Sequence, residues 1–277
     1  MTSAGTGRTP RELDQRTRPA GPLPLVAHML RFQLLLTLRT PTTVQVLVSA
    51  PLYTVMFLSI TGYAGRHDLT AFAVLAPVLM SLWSMSLFAA GELVTGERDR
   101  GTLEGMLATP ASYHLVVVAR ILAVVALSMV SFGESWLVAR TAFGLTVEIA
   151  HPSLFVAAVL VSGIAMAGTA SVLAALFVLA PSARVLQNSL SFPFYLLSGV
   201  LVPLDRLPYW LHPVARLVFL SWSADLLRSG LGASPVSGAA SAFTAVTVLG
   251  AVGFTVGGVL FRVVLHRVRH DGTLART

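Results

Sequence analysis

Glu97-Arg98-Asp99-Arg100 is a run of four consecutive charged residues, and Gly101-Thr102-Leu103-Glu104-Gly105-Met106-Leu107-Ala108-Thr109-Pro110 follows it directly. Leu103, Met106 and Leu107 recur at i, i+3 and i+4, which puts them on one face of a helix. Glu97, Arg98, Arg100 and Glu104 supply charge on the remainder, and Pro110 stops the helix. A short amphipathic helix of mixed charge is built to dock in a cleft of a soluble partner. The plainer alternative is a solvated loop with i,i+4 ion pairs. Neither reading is catalytic. The chain has no H-E-x-x-H, no G-x-S-x-G and no metal-spaced histidine cluster, so no residue is assigned a catalytic or metal-binding role. All 19 basic residues are Arg, and the P-loop lysine that contacts nucleotide phosphates has no counterpart here. Cysteine is absent too, which removes disulfides and thiolate chemistry.

The other candidates are polar or polarisable groups inside apolar runs, where such groups are functional by default. Met80, Trp83 and Phe88 could line a permissive apolar pathway, although at helical spacing such residues also serve as plain packing or lipid contact. Glu134 falls ~28 Å along its run at about 1.5 Å per residue, close to an interface where a carboxylate reaches water, pairs with Arg or meets a substrate. Gln187 and Tyr195 either join helices by hydrogen bonds or face the same pathway. Gly253-Phe254-Thr255-Val256-Gly257 is a literal G-x-x-x-G, a pattern expected to let this helix pair closely with a second chain.

These candidates need a membrane around them. Of 277 residues 55% are hydrophobic and only 11% charged, against roughly a quarter charged in a soluble domain. At about 20 residues per crossing, the length accommodates about six spans. They are expected at 43–63, 70–91, 115–138 (extending as far as 145), 153–180, 186–203 and 239–262, giving an all-α integral membrane fold. Residues 1–22, rich in Arg, Thr, Gly and Pro, are expected to be a disordered cytoplasmic tail. Residues 23–265 form the transmembrane domain and 266–277 a second cytoplasmic tail. Residues 23–40 alternate apolar groups with His28, Arg31, Gln33 and Arg39, which suits an interfacial amphipathic helix. Residues 204–236, broken by Pro208 and Pro213, suit short re-entrant or interfacial outer helices with Tyr209, Trp210 and Trp222 at headgroup level.

Five arginines, Arg66, Arg140, Arg206, Arg216 and Arg228, fall on one side of this arrangement and the other fourteen on the opposite side. The positive-inside rule therefore places both termini in the cytoplasm of a multi-pass cell-membrane protein. The same distribution explains the pI near 10.9 without nucleic acid.

Glu97-Arg98-Asp99-Arg100-Gly101-Thr102-Leu103-Glu104-Gly105-Met106-Leu107-Ala108-Thr109-Pro110 resembles the cytoplasmic coupling segment of ABC-2 type transporter permeases, typified by the daunorubicin-exporter group. Ser198-Gly199-Val200-Leu201-Val202-Pro203-Leu204-Asp205-Arg206-Leu207-Pro208-Tyr209-Trp210-Leu211 is similar to that family's stretch after the fifth span. Ser223-Ala224-Asp225-Leu226-Leu227-Arg228 resembles its usual ending, and Arg39-Thr40-Pro41 closes a lead-in helix of the expected kind. One departure is that the family commonly has Asn-Pro before that ending, where this chain reads Phe219-Leu220-Ser221-Trp222. The resemblance implies six spans per subunit, with a coupling helix between spans two and three. It puts Glu97, Arg98, Arg100, Gly101, Thr102, Leu103 and Glu104 at the interface with a separate ATP-binding subunit. It further implies a second permease copy or paralogue, ATP and Mg bound by the partner subunit and not by this chain, membrane lipid as surroundings, and export of an amphipathic or lipid-like cargo. A stand-alone membrane enzyme or an ion-coupled carrier is the alternative. A carrier would be expected to hold charged groups near the midplane, whereas this chain places its acids mostly at span ends.

Overall fold

The computed structural model describes residues 30–32, 34–35, 38–39, 41–99, 113–179, 183–202, 204–232 and 238–271. Among these residues there are helices, turns and connecting segments and no strand. In hydrocarbon a helix satisfies its own backbone groups, which is why apolar runs of this length take that form.

The helices are α1 (Pro41–Tyr63), α2 (Thr70–Asp99), α3 (Tyr113–Ser128), α4 (Val130–Phe143), α5 (Pro152–Leu179), α6 (Ala183–Leu197), α7 (His212–Leu217), α8 (Phe219–Leu231) and α9 (Ala239–Asp271). Pro41 and Pro152 open their helices, where a missing N–H costs nothing. Gly65 (φ 64°), Gly144 (φ 64°) and Gly199 (φ 68°) lie just beyond the C-terminal ends of α1, α4 and α6, in the left-handed region that glycine adopts freely. α3 and α4 form one span with an offset at Met129, whose N–H is shared between the carbonyls of Val125 and Ala126.

Four stretches are long and apolar enough to cross a membrane: Thr70–Gly91, Val118–Phe143, Pro152–Val178 and Ala239–Val263. α1 adds a shorter apolar stretch, Leu47–Tyr63. α6 has 15 residues, ~22 Å of helix against a hydrocarbon core of about 30 Å.

α2 is the central helix. It packs on α1, α3, α4, α5, α6 and α8. Its residues from Ala73 to Leu79 and from Ser81 to Trp83 are buried. It also outruns the span expected from sequence. The charged stretch after Gly91 does not break it, and one helix of 30 residues, ~45 Å long, continues through Glu97 and Arg98 to Asp99.

α5 and α9 form the most extensive helix pair. A Cβ placed on Gly253 would lie 2.7 Å from the carbonyl carbon of Gly168, and one on Gly250 would lie 2.8 Å from Cα of Ala165. Gly257 meets Ser171 at 2.9 Å in the same way. The G-x-x-x-G of α9 is therefore occupied within the chain. It lets two backbones approach, but the partner is α5 and not a second subunit. α9 also continues to Asp271, so the first six residues of the expected C-terminal tail are helical.

α7 and α8 lie between α6 and α9 and correspond to the short outer helices expected at 204–236. α8 is no surface ornament. Phe219, Leu220, Ala224, Leu226 and Leu227 are buried in the main apolar core, and the helix packs against α2, α5 and α9. Tyr209 (89% exposed) and Trp210 (74%) project from the preceding turn. Trp222 does not join them: it packs on the core and donates its Nε1–H to the Arg216 carbonyl at 2.9 Å.

Candidate functional site

Two polar assemblies cross this otherwise apolar bundle. The first is a seam between α2 and α6. Gln187, Ser191, Phe194 and Tyr195 of α6, with Ser198 just past its end, recur at helical spacing and so share one face. Gln187 Nε2 donates to the Leu87 carbonyl at 3.2 Å. Tyr195 donates its hydroxyl proton to the Met80 carbonyl at 3.1 Å. A phenol has one proton, so in the contact between Ser84 Oγ and Tyr195 OH the serine is the donor. Between these bonds Trp83 and Phe194 stack with centroids 4.2 Å apart and planes at 21°.

The Leu87 end of the seam depends on a glycine. A Cβ on Gly91 would overlap the amide nitrogen of Gln187, so only the bare backbone lets that side chain lie across α2. Gln187 and Tyr195 are both buried. In a low-dielectric interior an unpaired amide or phenol is costly, which fixes the register between the two helices.

The second assembly holds α8 in place. Asp225 accepts from Arg216 at 2.7 Å and from Arg228 at 3.4 Å. Arg228 also donates to the Gly199 carbonyl at 2.6 Å, just beyond the end of α6, and lies 5.0 Å from the ring centroid of Phe72 at the start of α2. Arg216 stacks over Trp222 at 4.4 Å. One arginine thus ties α8 to the ends of both α6 and α2.

Of the candidates for the path, Met80, Trp83, Gln187 and Tyr195 come together in the seam. Phe88 does not; it is 39% exposed and turned to the outside of the bundle. Glu134 is also elsewhere, on α4. Its Oε2 is buried and accepts no hydrogen bond among the described residues. Its neighbours along the helix make two polar links, Thr54 to Ser135 at 2.9 Å and Ser81 to Ser131 at 3.3 Å. Among the described residues no group of three or more His, Asp or Glu could hold a metal. Arg100, Gly101, Thr102, Leu103 and Glu104 lie outside the described residues, as do the side chains of Glu97 and Arg98. So do the expected N-terminal tail and much of the lead-in helix.

Ser84, Gly91 and Phe194 carry the seam but did not stand out in the sequence. The available clue was the stripe from Gln187 to Ser198, polar or aromatic at helical spacing in an apolar run.

Residues 24–232 match the family described as ABC-2 type transporter, a stretch that takes in α1 through α8 and the Glu97–Pro110 segment. The chain belongs to the ABC-2 type transporter family. It is thus a membrane-embedded transporter component. No curated protein matches the chain significantly. α9 falls beyond the matched residues, yet the glycine contacts with α5 make it integral to this ABC-2 bundle.

Proposed function

We propose that this chain is the permease subunit of an ATP-binding-cassette exporter, driven by a separate ATPase subunit that binds ATP and Mg. The observation that carries the reading is the family match across residues 24–232, within which the Glu97–Pro110 segment lies. Each subunit has six spans, counting α1 and α6 with the four long ones. Both termini face the cytoplasm, which puts the Asp99 end of α2 on the ATPase side of the cell membrane and α8 on the far side. Glu97, Arg98, Arg100, Gly101, Thr102, Leu103 and Glu104 dock on the ATPase.

Two permeases, either two copies or a copy and a paralogue, assemble around the pathway. The exposed apolar side chains of α1 and of α6 suit this role. Leu52 and Met56 of α1 and Phe192 and Leu196 of α6 are exposed. Exposed surface this apolar, with few fixed charges, favours an amphipathic or lipid-like cargo. An ATPase that bound both permease states equally would shift nothing, so the docking segment makes different contacts in each.

The test is to reconstitute the permease in nanodiscs with a candidate ABC-type ATPase and measure ATP hydrolysis. The expected result is hydrolysis that rises or falls on adding permease. Hydrolysis indifferent to the permease, with no complex formed, favours the stand-alone carrier or enzyme.

A further inference from the structure

The seam between α2 and α6 has a mechanical consequence that rests on the transporter reading. α2 is continuous helix from Pro77 through Met80 to Asp99, so a push at its charged end is carried along it to the seam. α6, by contrast, is lightly held. Among the described helices its main packing is on α2, with a smaller contact with α5. Val185, Leu186, Phe192 and Leu196 on its other face are exposed. Three hydrogen bonds between it and α2 run through two side chains, Gln187 and Tyr195. They meet α2 at Leu87 and at Met80 and Ser84, and the Trp83–Phe194 stack lies between. Gly199, just past the end of α6, then holds Arg228 of α8. A displacement of α2 reaches α8 along two routes, directly through Phe72 and by way of α6.

We infer that Gln187 and Tyr195 are the positioning residues that make α6 follow α2, carrying the movement of the ATPase-facing end of α2 to the fifth span and through Gly199–Arg228 to α8. Neither residue touches nucleotide or needs to touch cargo. Ser84 makes the joint reversible. Its own i−4 carbonyl is that of Met80, so on losing Tyr195 the serine can bond back to its own helix, as Ser86 does to Leu82. α6 is therefore fastened firmly enough to move with α2 and can still be released.

The native chain has no cysteine, so spin labels at Phe192→Cys on α6 and Leu160→Cys on α5 report their separation without background. The variant Gln187→Met/Tyr195→Phe keeps side-chain size while removing the polar joint. In membranes an interhelical hydrogen bond shifts an equilibrium by about threefold, so losing three that act independently raises the undocked fraction of α6 by about 27-fold. In nanodiscs without ATPase, a narrow wild-type distance distribution should broaden in the variant; an unchanged distribution overturns the inference whatever the partner does. With the ATPase bound and trapped with ADP and vanadate, the wild-type distance should shift. The variant should lose that shift while still hydrolysing ATP. A shift of wild-type size in the variant overturns the inference and leaves the transporter reading intact. Failure of the wild type to retain ATPase sinks the transporter reading and the inference with it. Should the double variant not fold, Tyr195→Phe alone removes two of the three bonds and must show the same loss in smaller measure.

Discussion

Gly253→Ala is the sharpest test of how the bundle is held together. The added methyl would lie 2.7 Å from the Gly168 carbonyl carbon, 2.9 Å from the Thr169 nitrogen and 3.0 Å from the Gly168 oxygen. All three are backbone atoms that cannot rotate away. Ordinary contact begins near 3.4 Å, so α5 and α9 must separate by about 0.7 Å. That loosens the neighbouring contacts at Gly250–Ala165 and Gly257–Ser171 as well. Overpacking of this kind costs about 1–3 kcal/mol. Alanine recovers up to about 1 kcal/mol through its better helix propensity, leaving a net loss near 1–2 kcal/mol. For a chain of this length that corresponds to a fall in Tm of about 2–8 °C, measurable by thermal unfolding followed by size-exclusion chromatography in detergent. Gly62→Ala is the control, since nothing lies within 4 Å of its added methyl, and it should leave Tm unchanged or raise it. If Gly253→Ala keeps its Tm but changes the oligomeric state, the glycine stripe joins two subunits and the intrachain account of α9 is wrong.

Three further outcomes follow from the geometry. Gly91→Ala should expel the Gln187 amide from α2 and lower Tm by an amount similar to Gln187→Met. Because both act on one contact, combining them should cost little more than either alone. Arg228→Ala should increase protease cleavage between Leu197 and Leu211 and should cost about 1–2 kcal/mol, reduced from a buried value because Asp225 is 37% exposed. Arg228→Lys should rescue it incompletely, since an ammonium cannot bridge Asp225 and the Gly199 carbonyl as a guanidinium fork does. Finally, the hydrogen bond from Arg66 holds the Asp68 carboxyl below its usual range. A depressed folded pKa means the stabilisation is present above the ordinary aspartate pKa and is lost as pH falls through the lower, folded value. Asp68→Asn should accordingly match wild type in acid and lose slightly near neutrality, with thermal unfolding across pH as the measurement.

The helices were legible in the sequence because a membrane span must be an apolar run of fixed length, and the observed starts and ends of α1, α3–α4 and α5 fall within a few residues of expectation. Where α2 ends was not legible. Glu92-Leu93-Val94 and Glu97-Arg98-Asp99 look like an exit into a loop, yet mostly consist of residues that propagate a helix in water as well as in lipid. The G-x-x-x-G misled about its partner for a related reason: the motif records that a backbone approaches, not whose. Gln187 and Tyr195 were readable as polar groups needing partners. Ser84 and Gly91 were not, since each acquires its role only when α6 lies across α2. The Arg216–Asp225 pair spans the break at Val218, where no helical periodicity connects the two residues.

The most direct test of the transporter account is co-purification in detergent with the candidate ATPase, comparing wild type with Glu97→Ala/Arg100→Ala/Glu104→Ala. The account predicts ATPase retained by the wild type and lost from the triple variant, with the variant permease itself still folded and monodisperse. ATPase retained equally by both would contradict docking through this segment. A wild type that purifies alone would contradict the ATP-driven permease itself.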